Sequence, residues 1–298
     1  MKILVSGAGG LVGRSLVPAA KELGHDVGRL VRGEPKGKEF WWRPESGEID
    51  FQAFNGWGGP EVVVHLAGEN IAQGRWTETQ KRRIRKSRVD ATERLCGSLL
   101  RLEERPSVFI SASAIGYYGN RADEILTEDS SPGSGFLAEL TVGWERAAEA
   151  LNRAGVRVAH LRFGVILSSE GGALGRMLPL FRWGFGGKIG DGRQWISWIS
   201  RTDLIRMILF VLENSQMEGV FNAVAPLPVR NAEFTKALAE RLKRPAFFRV
   251  PRPVLRLGLG EMAEALLLAS QRVMPARMTK AGFQFEHPTI EKALAAEL

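Results

Sequence analysis

The first thirteen residues, Met1-Lys-Ile-Leu-Val-Ser-Gly-Ala-Gly-Gly-Leu-Val-Gly13, decide the fold of this chain. The apolar run Ile3–Val5 predicts a buried strand, and apolar residues recur at helical spacing after the last glycine. Between them stand Gly7, Gly10 and Gly13 in the pattern Gly-x-x-Gly-x-x-Gly. In dinucleotide-binding proteins the first such glycine permits a tight turn, the second lets the backbone approach a pyrophosphate, and the third lets helix pack on strand. The alternative is a glycine-rich turn in an ordinary α/β domain. We favour a dinucleotide site because both flanks of the motif fit.

Composition is typical of a soluble globular enzyme. With 298 residues, 44% of them hydrophobic and 25% charged, the chain is long enough for one large domain or two unequal ones. No apolar run is long enough to span a bilayer, and Met1 leads directly into the first strand, so we expect neither a membrane partner nor a signal peptide. The single cysteine, Cys96, points to a reducing compartment, and we expect a cytoplasmic protein.

The chain is basic, with a net charge of +8, and its densest group of cations is Lys81–Arg88. No recognised nucleic-acid module surrounds this run, so we expect no nucleic-acid partner. Two interpretations remain: a solvated helix face, or one or two arginines that reach an anionic cofactor. The four histidines are scattered without metal-ligand spacing, so no metal site is predicted.

Strands alternate with helices along the first half of the chain, which predicts a doubly wound parallel sheet with ligands at the carboxyl ends of its strands. Strands are predicted after the first helix at Asp26–Val31, Phe40–Trp42, Val62–Leu66, Val108–Ile110 and Val156–Phe163, and helices at 78–104 and 137–153.

The second half is less regular. The glycine-rich stretch Gly171–Gly192 is interpreted as loops over a cleft, and Asp203 as the cap of its helix. Further helices are predicted at Thr202–Leu212, Asn231–Lys243 and Val254–Ala269, and a short strand at Val220–Ala223.

These features resemble the extended short-chain dehydrogenase/reductases, the superfamily of nucleotide-sugar epimerases and dehydratases, and within it the subgroup called epimerase family proteins. The tail from about Arg249 to Leu298 is similar to the small C-terminal domain of unknown function in that subgroup. The matching strings are Gly7–Gly13, His65–Gly68, Ala67–Ile71, Arg75–Thr77, Ser87–Arg88, Ile110–Ser113, Ser113–Gly119, Phe136–Glu139, Arg162–Val165 and Trp195–Ile199.

One departure from the superfamily bears on mechanism. Its ordinary members use a Tyr-x-x-x-Lys pair, in which the lysine lowers the pKa of the tyrosine. This chain has two tyrosines, Tyr117 and Tyr118, and neither has a lysine four residues on. The expected tyrosine position falls near Leu137 and the lysine position near Thr141. The usual acid/base pair is therefore missing from its usual place.

The end of the second strand predicts the cofactor. NAD-preferring sites carry an acid there for the ribose 2′-hydroxyl, whereas this strand ends Leu30-Val31-Arg32, with no acid until Glu34. We therefore expect NADP; the alternative is an exposed arginine that stands there by chance. The resemblance implies that Arg88, which replaces the usual asparagine, touches the cofactor. Together, motif and resemblance predict cofactor contacts at Gly7, Gly9, Gly10, Leu11, Val12, Gly13, Val31, Arg32, Leu66, Ala67, Gly68, Glu69, Arg83, Arg88, Ser111, Gly164, Val165 and Ile166.

Candidates for chemistry are fewer. Ser113 matches the catalytic serine of the superfamily, and Tyr117 is the nearest phenol. A serine hydroxyl is too weakly acidic to act alone, so a relay through Tyr117, Glu69 or water is expected. Asp191 is a further acid/base candidate. Trp195 and Trp198 either form a stacking wall for a ring or pack a hairpin, and we favour packing.

The predicted organisation is a Rossmann-type domain at residues 1–167, rejoined by parts of 200–225, with a smaller substrate-side α/β region at 168–298. The C-terminal domain occupies about 249–298. Two functions remain open: an NADP-dependent oxidoreductase or epimerase-like enzyme acting on a small molecule, or an inactive NADP-binding sensor or interaction protein. A homodimer is included among the possible partners of this chain.

Overall fold

The centre of the molecule is a seven-stranded sheet in which every neighbouring pair is parallel. The computed structural model describes all residues from Met1 to Leu298. The strands are β1 (Lys2–Ser6), β2 (Asp26–Val31), β3 (Glu39–Trp41), β4 (Val62–His65), β5 (Val108–Ala114), β6 (Arg157–Phe163) and β7 (Gly219–Ala223). Their order across the sheet is β7-β6-β5-β4-β1-β2-β3. The direction of winding reverses between β1 and β4, so the carboxyl ends of these two strands flank the crevice where such sheets bind ligands. The predicted doubly wound fold is confirmed.

Helices cover both faces of this sheet. The helices of the whole chain are α1 (Gly13–Glu22), α2 (Phe51–Trp57), α3 (Glu78–Arg85), α4 (Ala91–Leu99), α5 (Phe136–Arg146), α6 (Glu149–Arg153), α7 (Gly172–Arg182), α8 (Arg201–Glu213), α9 (Asn231–Leu242), α10 (Arg252–Leu259), α11 (Glu261–Ala263), α12 (Ala276–Lys280) and α13 (Ile290–Glu297). A 3₁₀ turn spans Ile115–Tyr118, and π-helical turns span Lys86–Asp90 and Glu264–Leu268. Short strands outside the central sheet are Ile125–Leu126, Val165–Leu167, Gly187–Ile189, Trp195–Ile196, Trp198–Ser200, Val229–Arg230, Phe248–Val250 and Arg272–Val273.

The apolar strands are buried on both sides, which explains why they read as continuous hydrophobic runs. In β1, Ile3 and Val5 pack in the core beneath α1 and α8, whereas Leu4 packs in the core on the opposite face with α4. A third core joins α7, α9 and α13 around Trp198. None of the helices combines the length and the apolar character that a membrane span requires.

Several predicted boundaries were wrong. The helix expected at 78–104 is interrupted by the π-helical turn at Lys86–Asp90 and ends at Leu99, and the helix expected at 137–153 divides at Ala147. The third strand lies one residue earlier, because Trp42 leaves the ladder to bridge with Ile49.

Two further corrections concern the second half. The stretch expected to be loops contains α7, whose Leu174, Leu178 and Phe181 are buried on one face; glycines at its start hid this periodicity. The cap of α8 is Ser200, not Asp203. Asp203 lies inside the first turn, where its carboxylate accepts a hydrogen bond from the Ser200 hydroxyl. The same carboxylate accepts the backbone amides of Glu286 and His287.

Candidate active site

The glycine turn is pressed against the end of β4. Gly7 has a left-handed φ of 69°, and a Cβ atom there would lie 2.8 Å from the amide nitrogen of Ala67. A Cβ atom at Gly13 would lie 2.4 Å from the Gly7 carbonyl, so this glycine lets α1 pack on the turn rather than on the strand. The backbone amides of Leu11, Val12 and Gly13 donate to no group of the protein. Free amides at a helix N-terminus are an anion site, so the turn can hold a phosphate.

A buried polar network fixes the backbone that follows β4. Ser6 Oγ accepts the amides of Leu66 and Ala67 at 3.2 and 3.3 Å and lies 2.7 Å from His65 Nδ1. The other ring nitrogen, Nε2, lies 3.0 Å from Thr92 Oγ1. Burial lowers the pKa of His65 to about 4, so the ring is neutral at pH 7. Since Ser6 Oγ already accepts two bonds, it donates to Nδ1, and Nε2–H donates to Thr92.

Arg88 lies beside this segment with most of its donors unused. A Cβ atom at Gly68 would lie 3.2 Å from the guanidinium carbon, which stands 5.2 Å from the centre of the Trp144 ring. Its one hydrogen bond goes to Ser87 Oγ at 3.4 Å. Burial lowers the pKa of Arg88 to about 10, against the attraction of Glu69, so the side chain stays charged at pH 7. A half-buried cation with free donors at the sheet edge suits an anionic ligand.

The other predicted cofactor contacts lie in different surroundings. Arg32 follows β2, is exposed, and makes no hydrogen bond or ion pair with its side chain. Arg83 is exposed on α3, apart from any partner. The Ser111 side chain is fully buried and donates to the Ala112 carbonyl at 3.1 Å.

The segment after β6 faces the glycine turn. Gly164 has room for no side chain, because a Cβ atom there would lie 2.6 Å from the Ser197 carbonyl. Val165–Leu167 then pairs with Trp198–Ser200. Beyond it the chain passes the Leu11 side chain, which would touch a Cβ atom at Gly172 at 3.4 Å. The chain just beyond the predicted segment 164–166 therefore contacts the glycine turn at Leu11, and the Ile166 carbonyl would lie 3.5 Å from the same Cβ atom.

Ser113 at the end of β5 is bonded to a carboxylate that sequence reasoning missed. Its hydroxyl donates to Glu145 Oε1 at 2.6 Å. Arg162 on β6 holds the same carboxylate through two bonds, Nε to Oε1 at 2.7 Å and Nη2 to Oε2 at 2.8 Å. The side chains of Arg162 and Glu145 are only 3% and 12% exposed. Such a bidentate pair fixes the orientation of the carboxylate toward Ser113.

Glu145 lies on the same helix face as Leu137 and Thr141, which occupy the positions of the missing tyrosine and lysine. Leu137, Thr141 and Glu145 follow one another at four-residue spacing on one face of α5. Leu137 lies against Gly116, and the Thr141 hydroxyl donates to the Leu137 carbonyl at 2.7 Å. Neither residue offers a proton to the crevice, and the carboxylate one turn further along takes the contact with Ser113. The four-residue spacing was the sequence signal for it.

Both tyrosines contact Arg162. The guanidinium carbon lies 3.3 Å from the centre of the Tyr117 ring, and Nη1 donates to the Tyr118 hydroxyl at 2.9 Å. Tyr118 in turn donates to Asn222 Oδ1 at 2.7 Å. Burial raises the pKa of Tyr118 to about 12, so this phenol is a poor acid at pH 7. Burial lowers the pKa of Arg162, but the bonds to Glu145 outweigh it and the net shift is upward.

The remaining candidates lie elsewhere. Asp191 is 41% exposed and paired with Arg252 at 3.3 Å. The two tryptophans do not form a hairpin, since their strands pair with different partners. Trp198 is fully buried in a core, as packing predicted. Trp195 instead lies between the guanidinium groups of Arg230 and Arg272, 4.1 and 4.6 Å from its ring centre.

The C-terminal region also supports the crevice. Gln271 Nε2 donates to the Ile115 carbonyl at 2.9 Å, and Ser197 Oγ donates to the Gln271 carbonyl at 2.8 Å. The segment that carries Ser113 and Tyr117 is therefore held in place by a residue 156 positions away, a contact that no local pattern could indicate.

Comparison with known proteins fits this geometry. Residues 3–223 match the model of the NAD dependent epimerase/dehydratase family. The chain belongs to that family. Residues 250–297 match a domain of unknown function, in agreement with the resemblance of the tail.

Relatives match the chain over nearly its whole length. Epimerase family protein Mb2239 of Mycobacterium bovis is 42% identical over 293 residues, which are 98% of this chain and 96% of that protein. The crystal structure of human epimerase family protein SDR39U1 with NADPH matches at a TM-score of 0.88 and 32% identity, covering 100% of this chain and 99% of that one. The UDP-glucose 4-epimerase of Thermus thermophilus in complex with NAD shares the fold, with a TM-score of 0.77 at 18% identity over 99% of this chain and 98% of its own.

Proposed function

We propose that this protein binds NADP(H) and catalyses hydride transfer to or from a small molecule, as an oxidoreductase or epimerase-like enzyme. The observation that carries the proposal is the set of unpaired groups along one sheet edge: the free amides of the glycine turn, the half-buried Arg88, and Arg32 at the end of β2. All are donors or cations, and NADP(H) brings a pyrophosphate and a 2′-phosphate.

The preference for NADP(H) over NAD(H) rests on Arg32. An acid at the end of the second strand would bind a ribose 2′-hydroxyl, whereas an arginine without an acidic partner is suited to a 2′-phosphate. The human relative's structure with NADPH supports the same choice, although the more distant Thermus thermophilus enzyme is in complex with NAD.

Ser113, Glu145 and Arg162 provide a proton path that needs no tyrosine. When bound, the nicotinamide ring accepts or supplies the hydride. As the substrate hydroxyl becomes a carbonyl, Ser113 Oγ takes its proton and passes its own to Glu145, 2.6 Å away. In the opposite direction the proton returns by the same atoms. This path replaces the relay through Tyr117 or Glu69 that sequence reasoning expected.

Arg162 supports this path, because its two bonds hold the Glu145 carboxylate toward Ser113. General acid–base catalysis typically contributes a factor of about 10²–10⁴, and we expect this pair to contribute within that range.

Calorimetry with both cofactors tests the proposal. Wild type should bind NADP(H) more tightly than NAD(H), and Arg32→Ala should lower the affinity for NADP(H) by about ten- to a hundredfold while leaving NAD(H) unchanged, as expected for loss of a charge-assisted hydrogen bond. Lys21→Ala, an exposed cation at the far end of α1, is the matched control. Equal affinities of the wild type for both cofactors would refute the preference.

A cofactor-binding sensor is the second candidate, favoured by Leu137 at the position of the usual proton donor. NADPH oxidation with a panel of aldehydes, ketones and nucleotide sugars separates the two functions. Turnover that is lost in Ser113→Ala supports the enzyme. Tight NADPH binding without turnover across the panel supports the sensor.

A further inference from the structure

An exposed surface distant from the crevice in sequence combines aromatic and basic side chains. We name it the aromatic–basic surface; it consists of Leu180, Arg182, Trp183, Phe185, Lys188, Lys236, Lys243, Arg244, Phe247 and Phe248. Phe247 is 90% exposed, Trp183 79% and Phe185 61%. Large apolar side chains this accessible and this close together mark a site of contact with something else.

The members of this surface are contiguous in space. The rings of Phe185 and Phe248 lie 5.7 Å apart, and a Cβ atom at Gly184 would lie 3.6 Å from Pro245 Cγ. The strands Gly187–Ile189 and Phe248–Val250 pair side by side and join the two segments. Next to them is a cleft of about 590 Å³, lined by both phenylalanines of the second segment and by four cations.

The charge of the surface is strongly one-sided. Lys188, Lys243 and Arg244 form no ion pair, and the only acid lining the cleft is Glu240, 3.8 Å from Lys236. The chain continues into α10, which buries none of its residues. From Arg244 to Leu259 it carries four arginines and no acid. Arg252 and Arg256 are neutralised by Asp191 and Glu264 from outside this stretch, which leaves Arg244 and Arg249 without an ion pair.

We propose that the aromatic–basic surface docks this protein on an anionic phospholipid bilayer, lying on it without crossing it. Aromatic side chains enter the boundary between headgroups and acyl chains, and lysine and arginine around them bind anionic headgroups. The sequence led us to expect no membrane partner because no run spans a bilayer; lying on the surface needs no such run.

The observations favour lipid over protein partners. A second copy in a symmetric contact would bring two basic rims together, and like charges across an interface repel. Anchor residues of protein interfaces sit in packed pockets, whereas Phe247 and Trp183 have little protein around them. Such side chains suit insertion into a fluid layer.

Sedimentation of the 298-residue protein with vesicles tests the proposal. Phosphatidylcholine vesicles containing phosphatidylglycerol should bind it, vesicles of phosphatidylcholine alone should bind it far more weakly, and high salt should release it. Lys243→Ala/Arg244→Ala should lower binding by roughly twenty-five-fold, about fivefold for each cation near an anionic surface. Trp183→Ala/Phe247→Ala should lower it at least tenfold.

Lys21→Ala/Leu23→Ala, exposed residues at the end of α1, provides the matched control and should bind like wild type. All the variants should retain NADPH affinity, since the surface does not include the crevice. Tryptophan emission should shift to the blue with anionic vesicles, and Trp183→Phe should remove that shift. Absence of binding to anionic vesicles, or equal binding by the surface variants and the control, overturns the proposal. So does a wild-type dimer that Trp183→Ala/Phe247→Ala dissociates while neither protein binds vesicles.

Discussion

Glu145→Gln should destabilise the protein far more than the loss of a surface carboxylate. The side chains of Arg162 and Glu145 are only 3% and 12% exposed. The substitution therefore leaves a buried guanidinium without its countercharge. Removing one partner of a buried pair costs about 3–5 kcal/mol. Glutamine keeps the size of the side chain and an acceptor for Ser113, so we expect the lower end, about 3 kcal/mol in the free energy of unfolding.

Urea denaturation with a double-mutant cycle measures this. Arg162→Met combined with Glu145→Gln should be less destabilised than the sum of the single variants by about 2 kcal/mol, because no charge then remains unpaired. Glu149→Gln is the matched control: its pair with Arg153 lies at 2.9 Å on α6, but the two side chains are 53% and 77% exposed. We expect it to cost about 0.5 kcal/mol or less. The reasoning is refuted if Glu145→Gln is as mild as this control, or if the two single effects simply add.

Three further predictions follow from the site. Gly10→Val should abolish NADPH binding while circular dichroism shows an intact fold, since its Cβ would already lie 3.2 Å from the Gly7 carbonyl; normal binding would mean that the site is misplaced. Ser113→Ala should leave NADPH affinity unchanged and lower turnover by about 10²–10⁴-fold on a substrate found in the panel, with common nucleotide sugars epimerised slowly at best; unchanged turnover, or brisk epimerisation by wild type, would contradict it. Because burial depresses the pKa of His65 from 6.5 to about 4, its contribution to stability is complete above pH 6.5 and declines as the pH falls toward 4, by up to about 3 kcal/mol; a His65→Asn variant that keeps the wild-type acid slope would argue against it.

The parts of the fold that were predictable are those set by local sequence. The glycine turn and the bounds of β2, Asp26–Val31, follow from residues next to each other in the chain. The helix α7 could not be predicted in this way, because Gly172 and Gly175 fall within it and hide the helical spacing of Leu174 and Leu178. Tertiary packing of those leucines overrides a weak local propensity.

The candidate site divides in the same way. Ser113 and Arg88 could be proposed from motifs, and the four-residue spacing places Glu145 on the same face of its helix as Leu137. The bond between Ser113 and Glu145 could not be predicted, because the two residues are 32 positions apart and meet only when α5 packs on β5. A glutamate on a helix is ordinarily a solvated residue. Its burial beside Arg162 is visible only once the sheet is assembled. The aromatic–basic surface is likewise formed from two segments about 60 residues apart, Trp183 and Phe247 among them.

A crystal structure of the wild-type protein with NADPH tests the central claim most directly. We expect the pyrophosphate on the amides of Leu11 and Val12, the 2′-phosphate against Arg32, and nicotinamide C4 facing the Ser113 hydroxyl with Glu145 behind it. A cofactor whose 2′-phosphate avoids Arg32, or whose nicotinamide lies away from Ser113, would contradict it.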